Sequence, residues 1–340
     1  MTGVAATFRC VRRVALVLLA AHLLVRIPCF GMSFELNPRF SGLTCVDDAV
    51  AVTYNRGSGN GGWVEVHSGK NGRLLWRRHL AGAVLLGAPC QWADSLYVPT
   101  FNDGIYVLSS RDGRTRAQLQ KGSVNAGPQL ACTANRLVAS EEGRKWTVRL
   151  TAYDTKTLRV VWTQSFSDRY LWRLAGKHDA FVATLSEPFG PGPSHQPARF
   201  ETVSLAAMDG RVVGRGPIRG RAGSAITSAA LPGRLAKWVA RVSRQDDTFR
   251  PRTRTERRPG IWFVGVLGSG GSPGKLYALR RSGAIVWTRT VSRLSDIVLC
   301  HGRLVAAALD QPASVGPSTA DRLVALDSRT GRLIWSAGLR

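Results

Sequence analysis

The sequence predicts an all-β protein, a β-propeller of about six four-stranded blades, on three observations. A strand–turn–strand pattern returns six times. Its turn residues fall at positions 72, 113, 158, 210, 283 and 331, so four of the five intervals lie between 41 and 52 residues, the length that four short strands and their turns consume. A further strand pair precedes most of these hairpins. Divergent copies leave room for a seventh or eighth blade.

The first thirty residues read as an address. Arg9, Arg12 and Arg13 precede an apolar run from Val14 to Val25, which Arg26 closes. A basic stretch followed by about a dozen apolar residues is the pattern of a secretory signal peptide, with an uncleaved anchor as the alternative. The run is short for a membrane span, which needs roughly 17–25 apolar residues. Residues 31–340 are then one propeller domain, exported to a periplasmic or extracellular location. Cys29 follows Arg26-Ile27-Pro28, a poor context for lipidation.

Beyond that segment remain Cys45, Cys90, Cys132 and Cys300. Four cysteines allow three pairings into two disulfides; four reduced core thiols are the alternative. All four stand just before or at the start of an equivalent strand pair. That placement favours buried packing or a bridge between adjacent blades over a metal site, and no C-x-x-C spacing is present.

The repeat is clearest at Leu323-Val-Ala-Leu-Asp327-Ser-Arg-Thr-Gly331-Arg-Leu-Ile-Trp335. The same shape carries Gly72 and Trp76, Asp154 and Trp162, and Gly283 and Trp287. Two copies keep the turn at Gly113 and Gly210 but lack the tryptophan. Physically each copy is a hairpin: an alternating strand, a turn of Asp, Asn, Ser, Thr and Gly, then a second apolar strand. The turn glycine takes positive φ without a Cβ penalty. The tryptophan four residues later is expected to pack against the neighbouring blade.

Residues 187–199 and 243–260 read as loop insertions. The second carries Arg244, Arg250, Arg252, Arg254, Arg257 and Arg258 with two prolines and no apolar period to bury. The last hairpin has no strand after Trp335, so Phe34 to Val52 is expected to complete that blade from the N-terminal side and remove its open edge.

The chain carries 47 Lys+Arg against 22 Asp+Glu, a net charge of +25. With 44% hydrophobic residues it is neither disordered, collagen-like nor a coiled coil. The basic segment at 243–260 is the candidate contact for an acidic partner, an anionic surface or a polyanion; charge alone argues only weakly for nucleic acid, and none is expected as a partner. Gly57-Ser-Gly59-Asn-Gly-Gly62 satisfies G-x-G-x-x-G, but the motif needs a following helix, and Trp63-Val-Glu-Val reads as a strand. No histidines pair at ligand or triad spacing, and no G-x-S-x-G elbow is present.

The pattern Ala325-x-Asp327-x-x-Thr330-Gly331-x-x-x-Trp335 resembles the tryptophan-docking repeat of quinoprotein-like β-propellers, the PQQ-like repeat family. Ala152, Asp154 and Trp162 match it in part, as do Ala278, Gly283 and Trp287. The resemblance implies one of two functions. Quinoprotein dehydrogenases bind pyrroloquinoline quinone with calcium and oxidise alcohols or sugars. Non-enzymatic members resemble the outer-membrane assembly lipoprotein, a scaffold for protein partners. The dehydrogenase type implies a vicinal Cys-Cys pair and a cluster of carboxylate ligands, and this sequence has no adjacent cysteines. The expectation is therefore a non-catalytic scaffold without cofactor, binding an envelope protein, with membrane contact only through the N-terminal signal or anchor.

Overall fold

The computed structural model describes residues 40–55, 61–81, 83, 85, 87–101, 103–120, 129–133, 135–143, 146–177, 179–188, 200–218, 253–266, 273–291, 293–309 and 322–339. These residues form six antiparallel sheets of four strands, each a simple meander. Sheet 1 holds β1 (Phe40–Val46), β2 (Ala49–Asn55), β3 (Gly62–Ser68) and β4 (Leu74–Leu80). Sheet 2 holds β5 (Cys90–Trp92), β6 (Ser95–Pro99), β7 (Ile105–Ser109) and β8 (Thr115–Leu119). Sheet 3 holds β9 (Leu130–Thr133), β10 (Arg136–Gly143), β11 (Thr147–Asp154) and β12 (Val160–Phe166). Sheet 4 holds β13 (Tyr170–Lys177), β14 (Ala180–Ser186), β15 (Phe200–Ala206) and β16 (Val212–Ile218). Sheet 5 holds β17 (Thr253–Arg258), β18 (Ile261–Val266), β19 (Gly274–Arg280) and β20 (Ile285–Val291). Sheet 6 holds β21 (Arg293–Cys300), β22 (Arg303–Leu309), β23 (Arg322–Asp327) and β24 (Leu333–Gly338).

The first strand of each sheet is innermost. β1 lies beside β5, β5 beside β9, β9 beside β13 and β17 beside β21, and β21 packs against β1, which joins the last sheet to the first. The sheets are therefore blades of a β-propeller. The core runs between their faces, because a two-sided sheet buries both sides only by stacking on neighbours. Val64, Val66 and Leu80 of sheet 1 pack with Leu96, Val98 and Leu108 of sheet 2. Phe181, Ala183 and Leu205 of sheet 4 pack with Leu150, Ala152 and Trp162 of sheet 3. Leu43, Val50 and Val52 of sheet 1 pack with Val305, Ala307 and Leu323 of sheet 6, which makes the closing junction a core like the others.

Two expectations are corrected here. Phe34 to Val52 does not complete the last blade: Phe40–Val46 and Ala49–Asn55 are β1 and β2 of sheet 1, and sheet 6 has four strands of its own. The upstream strand pair belongs with the hairpin that follows it, so each blade is one continuous stretch of chain. The loop expected over 243–260 is overturned for its second half. Thr253–Arg258 form β17, paired residue by residue with β18 from Thr253↔Val266 to Arg258↔Ile261. A polar strand needs no apolar period when an apolar neighbour supplies the ladder, and Pro259-Gly260 supplies the tight turn. Residues 243–252 lie outside the described residues, as do 189–199 of the other expected insertion and the whole N-terminal segment 1–30.

The cysteines form two disulfides. Cys45–Cys300 joins sheet 1 to sheet 6, with Cα atoms 5.4 Å apart. Cys90–Cys132 joins sheet 2 to sheet 3, with Cα atoms 6.0 Å apart.

Candidate interaction surface

The turn between the third and fourth strands of each sheet carries the repeat residues. In all six a short polar side chain caps the turn, Ser282 Oγ accepting from the Ala284 amide (3.4 Å) in sheet 5. Asp154 Oδ1 accepts from the amides of Lys156 (3.1 Å) and Thr157 (2.9 Å) and from the Thr157 hydroxyl (3.1 Å). Asp327 Oδ1 repeats the set with Arg329 (3.0 Å), Thr330 N (2.8 Å) and Thr330 Oγ1 (2.9 Å). Backbone hydrogen bonds hold both carboxyls below the usual carboxylate range. Asn71, Asp112 and Asp209 cap their turns through the amides of Arg73, Arg114 and Arg211.

Each fourth strand then opens with an irregularity that the sequence did not disclose. The register against the third strand shifts once in every sheet, at Val66/His67, Val107/Leu108, Ala152/Tyr153, Ser204/Leu205, Ala278/Leu279 and Ala325/Leu326. The extra residue is Leu75, Arg116, Val161, Val213, Val286 or Ile334, one place before the tryptophan position. Such a bulge re-aims the next side chain. It leaves Leu75, Val161, Val213, Val286 and Ile334 exposed and turns the following residue onto the next blade.

Where that residue is tryptophan, it covers the next turn glycine. Trp76 lies on Gly113, Trp162 on Gly210, Trp287 on Gly331 and Trp335 on Gly72. The indole nitrogens donate to Ser110 O (2.8 Å), Ala207 O (3.0 Å), Ser328 O (3.3 Å) and Gly69 O (2.9 Å). The last pair spans sheet 6 and sheet 1. Arg303 Nη1 donates to the same Gly69 O at 2.9 Å.

The two copies without tryptophan differ from each other. Ala117 stands at the tryptophan position of sheet 2, and Leu158, at φ 58°, takes the glycine's place in sheet 3. Both belong to the core between those sheets, so the larger turn residue replaces the missing ring. Cys90–Cys132 ties the same junction. Gly214 stands at the tryptophan position of sheet 4, and nothing among the described residues lies within 4 Å of a Cβ placed on Gly283. The turn of sheet 5 is also one residue shorter: Arg280 N bonds Ala284 O, whereas Ser68 N bonds Arg73 O. Gly283 therefore aligns in sequence without sharing the docked geometry.

A buried polar group stiffens the closing junction. Glu65 is fully buried and accepts from Tyr54 OH (2.7 Å), pairs with His67 Nε2 (2.9 Å) and lies 3.3 Å from Arg77 Nε. Burial alone would raise its pKa, but the hydrogen bonds from His67 and Tyr54 and the charges of His67 and Arg77 outweigh it and hold the carboxyl below its ordinary value. His67 Nδ1 also lies 3.0 Å from Gly72 O, the turn beneath Trp335. Arg77 stacks over Trp63 at 3.7 Å, and His79 stacks on the same ring.

Among the described residues two surfaces are candidates for contact with a partner. One is the rim of capped turns, where Lys70, Arg73, Arg111, Arg114, Lys156 and Arg159 of the first three sheets accompany the exposed bulge residues. The other is a depression of about 310 Å³ at the opposite end of sheet 4. There Glu201 holds Arg169 at 3.0 Å and Arg215 at 3.8 Å, so two guanidiniums share one carboxylate beside Phe200. Of the six arginines singled out in the sequence, Arg254, Arg257 and Arg258 are on β17 and Arg244, Arg250 and Arg252 lie outside the described residues. The glycine-rich run at Gly57 leads into β3, not a helix.

Docked tryptophans on capped turns, repeated round a ring of four-stranded sheets, define a β-propeller of PQQ-like repeats. Residues 60–249, more than half of the chain, match the family described as outer membrane protein assembly factor BamB. The chain belongs to that family. Among solved structures it is similar to BamB from Moraxella catarrhalis, at 14% identity and a TM-score of 0.40, covering 80% of this chain and 83% of that one. It is also similar to the quinohemoprotein alcohol dehydrogenase ADHIIG from Pseudomonas putida HK5, at 10% identity and a TM-score of 0.49, covering 87% and 66%. The quinohemoprotein alcohol dehydrogenase from Comamonas testosteroni gives 10% identity, a TM-score of 0.43 and coverage of 89% and 68%. No curated protein matches the sequence.

Proposed function

We propose that the chain is an exported, non-catalytic propeller scaffold that binds an envelope protein. The observation that carries this reading is the family match over residues 60–249 to an outer-membrane assembly factor. Two features support it. The disulfides Cys45–Cys300 and Cys90–Cys132 suit an oxidising compartment, and residues 1–30 read as the signal or anchor that would deliver the chain there. Loops and turns on a rigid frame commonly carry recognition, and here the frame is tied at several of its junctions. The basic residues from Arg244 to Arg258 are the proposed contact for an acidic partner surface.

The test is crosslinking in intact cells from a photoreactive residue placed at 244 or 250, with identification of the captured protein by mass spectrometry. The reading requires one envelope protein, captured less when the other five arginines become serine. Capture unchanged by that replacement moves the contact elsewhere on the ring. Dye reduction by the purified chain with quinone, calcium and an alcohol or sugar would overturn the non-catalytic reading.

A further inference from the structure

The Cys45–Cys300 disulfide lies between two hairpin turns of different sheets. Val46-Asp47-Asp48 turns the chain from β1 to β2, and His301-Gly302 turns it from β21 to β22. Asp47 and His301 both sit at φ 46°, in the left-handed region, so each turn is a fixed conformation and not an extended link. A donor atom from each of Cys45, Cys300 and His301 lies within 4.8 Å of the others, and among the described residues this is the one such group.

The imidazole is oriented from behind. His301 Nε2 makes a short contact with Asp47 O. A carbonyl accepts, so Nε2 carries hydrogen, and in the neutral ring Nδ1 is then a bare lone pair. Nδ1 stands 3.6 Å from Asp48 Oδ1, and both side chains are exposed to solvent. Metal-bound histidines are held in this way, with the remote ring nitrogen donating to a backbone carbonyl. The second disulfide supplies an internal contrast. Cys90–Cys132 likewise joins the first strands of neighbouring sheets, but Ala93-Asp94 stands in the β5–β6 turn and among the described residues no histidine groups with that pair.

We propose that the reduced form of the Cys45–Cys300 clasp is a zinc-class divalent cation site, with Cys45 Sγ, Cys300 Sγ and His301 Nδ1 as ligands and a water in the fourth position. Two thiolates, an imidazole and a water form a tetrahedral set suited to zinc. A small dithiol breaks the S–S bond with two electrons, each sulfur takes a proton from it, and the dithiol leaves as its own disulfide. Cation binding then releases both thiol protons as two sulfur–metal bonds form. A disulfide and a metal ion are thus alternative cross-links between the same two turns.

The experiment uses the full chain, oxidised or reduced and freed of dithiol under anaerobic conditions, with Co²⁺ as spectroscopic probe and Zn²⁺ in competition with a chromophoric chelator. The reduced chain should take one equivalent, with thiolate-to-cobalt charge transfer and tetrahedral ligand-field bands; the oxidised chain should take none. Binding should vanish in Cys45→Ser/Cys300→Ser and persist in Cys90→Ser/Cys132→Ser. His301→Ala, which keeps both disulfides and so can be checked for folding before reduction, should weaken it about 100-fold. The proposal is overturned by charge-transfer bands that survive Cys45→Ser/Cys300→Ser, by unweakened binding in His301→Ala, or by a reduced chain whose near-ultraviolet dichroism Zn²⁺ does not preserve or restore.

Discussion

Trp335 in the last sheet covers Gly72 in the first so closely that a Cβ on Gly72 would stand 2.6 Å from the ring carbon Cε3. The indole gives its one hydrogen bond to Gly69 O, three residues earlier in the same turn. The contact closes a ring whose two partners are more than two hundred and fifty residues apart in sequence.

Replacing Trp335 with Ala removes a buried ring from that junction, and a large-to-small core change of this kind costs about 3–5 kcal/mol. The denaturant midpoint should fall accordingly with little change in the slope. A midpoint within experimental error of the parent would contradict a packing role for the residue.

Gly72→Ala and Gly283→Ala separate backbone strain from docking. Both glycines have positive φ, 73° and 87°, so each alanine carries strain of about 1–2 kcal/mol. Only the Cβ at position 72 also meets an indole, and overpacking adds roughly 1–3 kcal/mol. Thermal unfolding should rank the parent first, Gly283→Ala second and Gly72→Ala last.

Ala117 and Leu158 should be interchangeable with the Trp–Gly pair only together. Ala117→Trp alone forces an indole onto Leu158, and Leu158→Gly alone leaves a cavity. The double variant restores the arrangement seen at Trp76 and Gly113. A double-mutant cycle should give a favourable coupling of roughly 1–3 kcal/mol; additivity would show that the two sites do not share space.

Acid should loosen the junction through Glu65. Its folded pKa lies below the ordinary value of 4.5, so the carboxylate contributes stability in full above the unfolded pKa and loses it as pH falls through the folded one. Glu65→Gln leaves His67 and Arg77 without their counter-charge and should destabilise the chain by about 3–5 kcal/mol at neutral pH. The gap between parent and variant should narrow as pH falls below about 4.5. A gap that is constant with pH would mean that the Glu65 charge contributes nothing.

The hairpin repeat was legible because its signals are local. Asp154, Asp327 and the turn glycines lie within a few residues of the strands they join, and strand alternation shows on both sides. What was hidden depends on the partner strand or on distance. Β-bulges such as Leu75 leave no mark, since Leu74-Leu75-Trp76 reads as plain apolar strand. The strand β17 is polar throughout and exists because β18 offers it a ladder. Glu65 and His67 are two apart and look like alternate polar positions, yet both are buried against the neighbouring sheet. Cys45 meets Cys300 and His301 across 255 residues of sequence, where no spacing motif can reach.

Each sheet is built from one uninterrupted stretch of chain, and in four of the six described sheets its tryptophan reaches forward to the next turn glycine. Blade number can therefore change in whole units. Duplicating one repeat of 41 to 52 residues inserts a sheet complete with a turn to receive the preceding tryptophan and a strand to present its own, and no existing strand must find a new partner. Rings closed by a shared blade lack that freedom, because a strand at one end is already promised to the other. In a ring built this way, growth or loss asks only that two side-chain contacts be remade.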